Sequence, residues 1–268
     1  VADSAPRGGA PVSPRFEVCV DSARGAVTAR DAGAHRVELC SALFEGGVTP
    51  SAGLLETVVE AARGIEVNVL IRPRGGDFIF DRYEVDAMVR DIGTAVRLGA
   101  HGIVLGALTA EGAVDMAVCR RLLSAADGRP VTFHRAFDMA REPFEALERL
   151  VELGVDRVLT SGQEISALEG APLLARLVRA AGDRVIVMPG GGVTARNVTR
   201  VLRLTGAREI HFSAGTTVES PATHRNSRAL MGGTLSRGEY TRRITGPAEV
   251  RALMNAARAP GGSAQGPL

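Results

Sequence analysis

Ala32-Gly33-Ala34-His35-Arg36-Val37 is a phrase that the chain repeats, returning as Leu98-Gly99-Ala100-His101-Gly102-Ile103, Leu153-Gly154-Val155-Asp156-Arg157-Val158 and Thr205-Gly206-Ala207-Arg208-Glu209-Ile210. In each copy a stretch with helical apolar spacing ends, a glycine follows, and a run suited to a strand begins. Glycine fits the left-handed residue that stops a helix, so each copy reads as helix end, short loop and strand start. Gly64 and Gly182 close two further helical stretches in the same way.

Outward from these phrases, short β-branched runs fall at residues 16–20, 36–40, 66–72, 102–108, 130–136, 156–161, 184–188 and 209–213. Helical stretches lie between them at 22–32, 54–63, 83–98, 116–126, 144–153, 168–181 and 194–204. Successive strand starts are about 20 to 36 residues apart, the length of a strand plus a helix crossing back over the sheet. Eight such units without a hairpin signal predict an α/β fold, a single (β/α)8 TIM-type barrel with its site at the C-terminal ends of the strands. An open doubly wound sheet is the alternative. Against it, Asp21-Ser22-Ala23-Arg24-Gly25 follows the first strand, where a dinucleotide-binding sheet carries a glycine-rich fingerprint.

The barrel is expected to span residues 15–258. Residues 1–14, rich in Pro, Gly, Ala and Ser, read as a disordered leader with no secretory apolar stretch, and residues 259–268 as a disordered tail. Residues 215–246 are polar and aperiodic, and a closing helix follows at 248–257. A connection of that length suggests a rim, a lid or an oligomer contact.

Hydrophobic residues make up 45% of the 268 and charged residues 23%, a balance able to bury a large core. The net charge of +2 is spread without a basic run or an aromatic platform, so no nucleic-acid partner is expected. No stretch of about 18 apolar residues predicts a membrane span. All 32 basic residues are Arg; the absence of Lys removes Schiff-base chemistry and a P-loop lysine. Three cysteines without a signal point to free thiols in a reducing cytoplasm.

Alternate side chains of a barrel strand point inward. Glu17 and Cys19 share one face of the first strand, Glu38 and Cys40 of the second, Asn68 and Arg72 of the third, Thr132 and His134 of the fifth, His211 and Ser213 of the eighth. The intervening positions are mainly apolar and suit the face under the helices, so the polar set is predicted to face the lumen. Charges at such positions call for a ligand or for a satisfied ion network that holds the barrel together. Glu17, Glu38, Arg72 and His134 are the candidate catalytic groups, His134 being favoured over His211. Two neighbouring glutamates would raise the pKa of at least one. Cys19 and Cys40, each two residues after a glutamate, suit a soft monovalent ion such as Cu(I), or are small buried hydrophobes. Cys119, on a helical stretch, reads as packing.

Pro189-Gly190-Gly191-Gly192 follows the seventh strand and Ser213-Ala214-Gly215 the eighth, the two places where phosphate-binding barrels gather backbone N–H groups. Arg72, Arg74, Gly190, Gly191, Gly192 and Ser213 are therefore the candidate anion-binding set. Arg74 has the alternative of a structural turn in which Arg pairs with Asp77.

Six segments resemble the CutC family: Glu17-Val18-Cys19-Val20-Asp21-Ser22, Arg36-Val37-Glu38-Leu39-Cys40-Ser41, Glu45-Gly46-Gly47-Val48-Thr49-Pro50-Ser51, Ile71-Arg72-Pro73-Arg74-Gly75-Gly76-Asp77-Phe78, Val131-Thr132-Phe133-His134-Arg135-Ala136-Phe137-Asp138 and Arg157-Val158-Leu159-Thr160-Ser161-Gly162. The similarity runs from about Phe16 to the closing helix. The resemblance implies a parallel β/α barrel assigned to copper homeostasis, a homo-oligomer (dimer or tetramer), with Cu(I) bound by the cysteines matching Cys19 and Cys40. Two functions remain open at this point. One is Cu(I) handling through the thiol pair. The other is a lysine-independent isomerase, lyase or hydrolase acting on a small anionic ligand, phosphorylated or sugar-like. A purely structural role ranks last, because it leaves the charged lumen without a purpose.

Overall fold

The computed structural model describes residues 13–226, 228 and 239–258; most of the expected leader, all of the tail and part of the 215–246 segment lie outside the described residues. Eight parallel strands alternate with helices: β1 (Arg15–Val20), α1 (Ala23–Asp31), β2 (Arg36–Leu39), α2 (Ala52–Ala61), β3 (Glu66–Leu70), α3 (Arg82–Arg97), β4 (Gly102–Leu105) and α4 (Met116–Ala125). Then follow β5 (Val131–Phe133), α5 (Pro143–Leu153), β6 (Arg157–Thr160), α6 (Ala171–Ala181), β7 (Ile186–Pro189), α7 (Val198–Thr205) and β8 (Glu209–Phe212). Hydrogen-bonded neighbours run β7-β6-β5-β4-β3-β2-β1-β8, and β7 and β8 lie side by side, so the barrel is nearly closed.

The repeated phrase does what its glycines suggest. Gly33, Gly99, Gly154 and Gly206 all have positive φ, between 68° and 90°, a backbone state that costs other L-residues energy. Its fourth position has a second task that the sequence reading left unassigned. His35 Nδ1 accepts the N–H of Phe16 at 3.0 Å, His101 Nδ1 that of Val67 at 3.2 Å, and Asp156 Oδ2 that of Val131 at 2.7 Å. Three of the four copies thus cap a backbone donor near the start of the preceding strand.

Helix starts are set by Ser22, Ser51, Asp81 and Asp115, whose side chains accept backbone N–H groups of the first turn; Asp81 and Glu84 form a capping box. The outward faces of the strands, including Val18, Val37, Val67, Ile103, Phe133 and Ile210, pack under helix residues such as Ala29, Val58, Met88, Leu122, Leu147 and Leu174. A separate apolar group of Cys19, Cys40, Leu70 and Val104, with Leu43 against it, lies inside the barrel.

Two differences from the expected elements bear on the site. The third, fourth and fifth strands end at Leu70, Leu105 and Phe133, before residues 72, 108 and 136. Arg72 instead exchanges backbone bonds with Thr49 in the loop after β2, and His134 caps a 3-10 turn, Arg135–Met139. The second difference is in 215–246, where an antiparallel pair, β9 (Gly215–Glu219) and β10 (Thr241–Thr245), precedes α8 (Pro247–Arg258). Both strands are largely partly or fully exposed, so no buried face imposes the alternation that would have revealed them.

At the amino ends of the strands the lumen is filled by ions. Arg36 is 2% exposed, binds Glu17 through Nε and Glu209 through Nη2 at 2.6 Å, and Glu209 also takes Arg157 at 2.8 Å. Removing one partner of a buried ion pair leaves its counter-charge desolvated. Arg36→Met should therefore lower stability by about 3–5 kcal/mol in urea unfolding, with the far-UV circular dichroism of the folded state retained.

Candidate functional site

Above the ionic layer, strand register brings together the residues that function would use. Glu17 lies beside Arg36 of β2 and His211 of β8, and Cys19 beside Glu38. Glu17 binds Arg36, accepts from His211 Nδ1 at 2.7 Å and lies 3.5 Å from Asn68 Nδ2. Burial opposes its ionisation, but the bond from His211 and the charges of Arg36 and His211 hold it at about 2. Glu17 is thus held as an anion by Arg36 and His211, inside the buried ion network.

Glu38 is the other half of the pair. Burial and the charge of Cys19 push its pKa well above the usual carboxylate value. Cys40 Sγ lies 3.4 Å from Glu38 Oε2 and 3.7 Å from Cys19 Sγ. The bond from Cys40, then that from His211, draws the Cys19 thiol down to about 5 against burial. Cys40 is pushed up, first by Cys19 and then by burial. His211 Nε2 stands 3.7 Å from Glu38 Oε2. Burial disfavours its charged ring, yet Glu38, Cys19 and Glu17 keep its pKa well above the ordinary value. These groups share protons as a unit.

His211, ranked behind His134 from sequence, is therefore the histidine of the thiol–carboxylate cluster. The signal available was its place opposite Glu17 on the last strand, and only barrel closure makes that a contact. His134 stands elsewhere. Its ring leans on Gly106, where an added methyl would lie 2.7 Å from two ring atoms, and its centroid is 5.1 Å from that of Phe78. Nδ1 accepts from Ala136 N–H at 3.1 Å, so the neutral ring carries its proton on Nε2, which is buried without a partner among the described residues. Burial, then Arg72, lowers its pKa to about 3. Thr132 Oγ1 is likewise buried and unpartnered.

The expected anion set divides. Arg72 gives Nη1 to the carbonyls of Glu45 and Gly47 and Nη2 to that of Gly76, while its guanidinium covers Phe78. It clamps two loops and keeps only a buried Nε without a partner. Arg74 pairs with Glu84 at 2.6 Å and Asp77 at 3.0 Å, the structural-turn alternative. Arg74 is thus tied into the rim through two carboxylates. Ser213 is exposed past the end of β8 and has no hydrogen-bond partner among the described residues. Gly190 packs against Leu159 and His211, and Gly191 lies beneath Arg135. Cys119 is buried on α4 with its thiol raised to about 12 by burial. No helix among the described residues is long and apolar enough to cross a membrane.

One ligand atom each from Cys19, Glu38 and Cys40 lies within 4.8 Å of the others. Two sulfurs 3.7 Å apart are too distant for a disulfide, whose S–S bond is about 2.05 Å. They are near enough to share one ion at metal–sulfur bonds of about 2.3 Å, the zinc–thiolate value. Fold and site together define a (β/α)8 barrel carrying a soft-metal donor set inside its carboxyl end.

The chain belongs to the CutC family, which matches residues 15–216. It is 50% identical over 238 residues to the copper homeostasis protein cutC homolog of Homo sapiens, covering 89% of this chain and 87% of the relative. A CutC family protein of Parabacteroides distasonis is 46% identical over 239 residues, with 89% and 98% covered. A solved structure of a CutC protein from Streptococcus agalactiae matches at a TM-score of 0.72 and 35% identity, over 75% of this chain and 98% of that one.

The buried neutral His134 gives a pH signature. Its folded pKa of about 3 lies below its ordinary 6.5, so its contribution to stability is present above 6.5 and lost as pH falls toward 3. Urea unfolding free energy should decline across that window. His134→Gln should decline less steeply there; an unchanged slope would show that His134 titrates normally.

Proposed function

We propose that this barrel binds Cu(I) through Cys19 and Cys40 and takes part in copper homeostasis. The observation that carries the reading is the 3.7 Å separation of the two sulfurs inside a wall of Leu70, Val104 and Leu43. Thiolates select Cu(I) by softness, and an apolar wall excludes the water that would compete for it. Glu38 is the adjacent hard donor, placed to accept a proton or to complete the coordination. His211, bound to Glu17, supplies positive charge beside Cys19, the thiol of the pair whose pKa is drawn down. The family membership and the names of the relatives from Homo sapiens and Mus musculus support the copper assignment. The reading assumes a reducing cytoplasm, where paired thiols persist.

Anaerobic Cu(I) competition titration tests it. The unaltered protein should bind one Cu(I) per chain tightly, and Cys19→Ser/Cys40→Ser should lose that binding while keeping its circular dichroism. Cys119→Ser should bind as the unaltered protein does. Equal affinity in the double variant would refute the thiol-pair site.

A further inference from the structure

Three motifs that copper binding does not use converge at the barrel mouth on the β5–β7 side. Asp138, in the turn after β5, accepts Thr160 Oγ1 at 2.5 Å, the Ser161 N–H at 3.0 Å, Ser161 Oγ at 3.1 Å, the Gln163 N–H at 3.2 Å and Arg135 Nε at 2.7 Å. Its side chain is 2% exposed, whereas that of Arg135 is 44% exposed. A buried carboxylate with its lone pairs filled thus aims one half-exposed guanidinium. Arg135 Nη2 is further fixed on Ser161 Oγ at 2.9 Å.

The guanidinium lies over Gly191. A methyl there would stand 3.4 Å from Cζ and Nη1, and the φ of +94° disfavours any side chain. The loop is anchored through its acceptors: the Gly191 carbonyl takes Ala167 N–H at 2.9 Å and the Gly192 carbonyl takes Asn197 Nδ2 at 2.8 Å. Its donors are left over. The N–H groups of Gly191 and Gly192 and Arg135 Nη1 have no hydrogen-bond partner among the described residues. Successive free N–H groups in a turn form an anion-binding concavity, and the end of the seventh strand is where phosphate-binding barrels place one.

We infer that Arg135 and the N–H groups of Gly191 and Gly192 hold the phosphate group of a small phosphorylated metabolite. The groups left unpartnered at the site are donors, and a guanidinium N–H with two amides matches the several oxygens of a phosphate better than one water. Gly190, next to this loop's free amides, packs directly on His211. None of the copper donors belongs to the phosphate site, and the inference does not rest on the copper reading.

The test is a titration of 15N-labelled protein with inorganic phosphate, against sodium chloride of matched ionic strength, following the amide resonances of Gly191 and Gly192. Both should shift saturably with phosphate and not with chloride. Arg135→Ala should weaken phosphate binding about tenfold or more, the loss of a charge-assisted contact, and Arg135→Lys should fall between. Absence of saturable shifts at the two glycines in the unaltered protein overturns the site, as does full affinity in Arg135→Ala. Equal binding of acetate overturns the choice of phosphate. Should Arg135→Ala fail to fold, the unaltered protein and Arg135→Lys still decide. Cu(I) affinity should be the same in the Arg135 variants, so failure of one reading is distinguishable from failure of the other.

Discussion

Arg36 is the group on which the interior depends. It enters the lumen from the first position of β2 and meets carboxylates from β1 and β8, and Glu209 carries the connection on to Arg157 of β6. Four strands are joined across the barrel axis at one level. A guanidinium suits this place because it stays charged at any ordinary pH and its planar fork serves two carboxylates at once. Burying it is costly, and its pairing with Glu17 and Glu209 offsets that cost. Its effect also passes upward. Fixing Glu17 as an anion gives His211 a partner for Nδ1, and His211 then carries positive charge to the thiols.

The carboxyl end of the barrel is chemically two-sided. Around β1, β2 and β8 stand thiols, a carboxyl and an imidazolium, suited to a soft cation. Around β5, β6 and β7 stand donors without a partner among the described residues: Arg135 Nη1, the amides of Gly191 and Gly192, and the buried His134 Nε2. The two sides touch where Gly190 lies against His211. Glycine recurs at lumen positions for a steric reason. A side chain at Gly102 would strike Asn68, one at Gly106 would strike His134, and one at Gly190 would strike Leu159 and approach His211. Polar residues project inward because the facing positions are empty.

Much of this is legible in the sequence. The repeated glycine phrase located the βα units, and period-two alternation put Glu17, Cys19, Glu38 and Cys40 on the inward face. The same alternation places Arg36, Arg157 and Glu209, which begin their strands, on the inward face. Arg72 spends its Nη groups on the carbonyls of Glu45, Gly47 and Gly76, and a sequence does not reveal which backbone carbonyls a loop will present. His134 was preferred over His211 because it closed a conspicuous motif. Spacing alone could not show that its strand stops one residue earlier and that its Nδ1 is taken by Ala136.

The sequence by itself determined the order of elements, the faces of the strands and the chemical character of the lumen. Those properties follow from local rules, namely the helical and strand periods and the φ preference of glycine. Tertiary structure alone decided which groups became partners. Glu17 and His211 are 194 residues apart and meet only because β8 pairs with β1. Arg135, Asp138, Ser161 and Gly191 lie on three successive crossovers and form one site only when β5, β6 and β7 are in register. Ionisation likewise depends on closure: of two glutamates each two residues before a thiol, Glu17 is held low by His211 and Arg36, and Glu38 is raised by burial and Cys19.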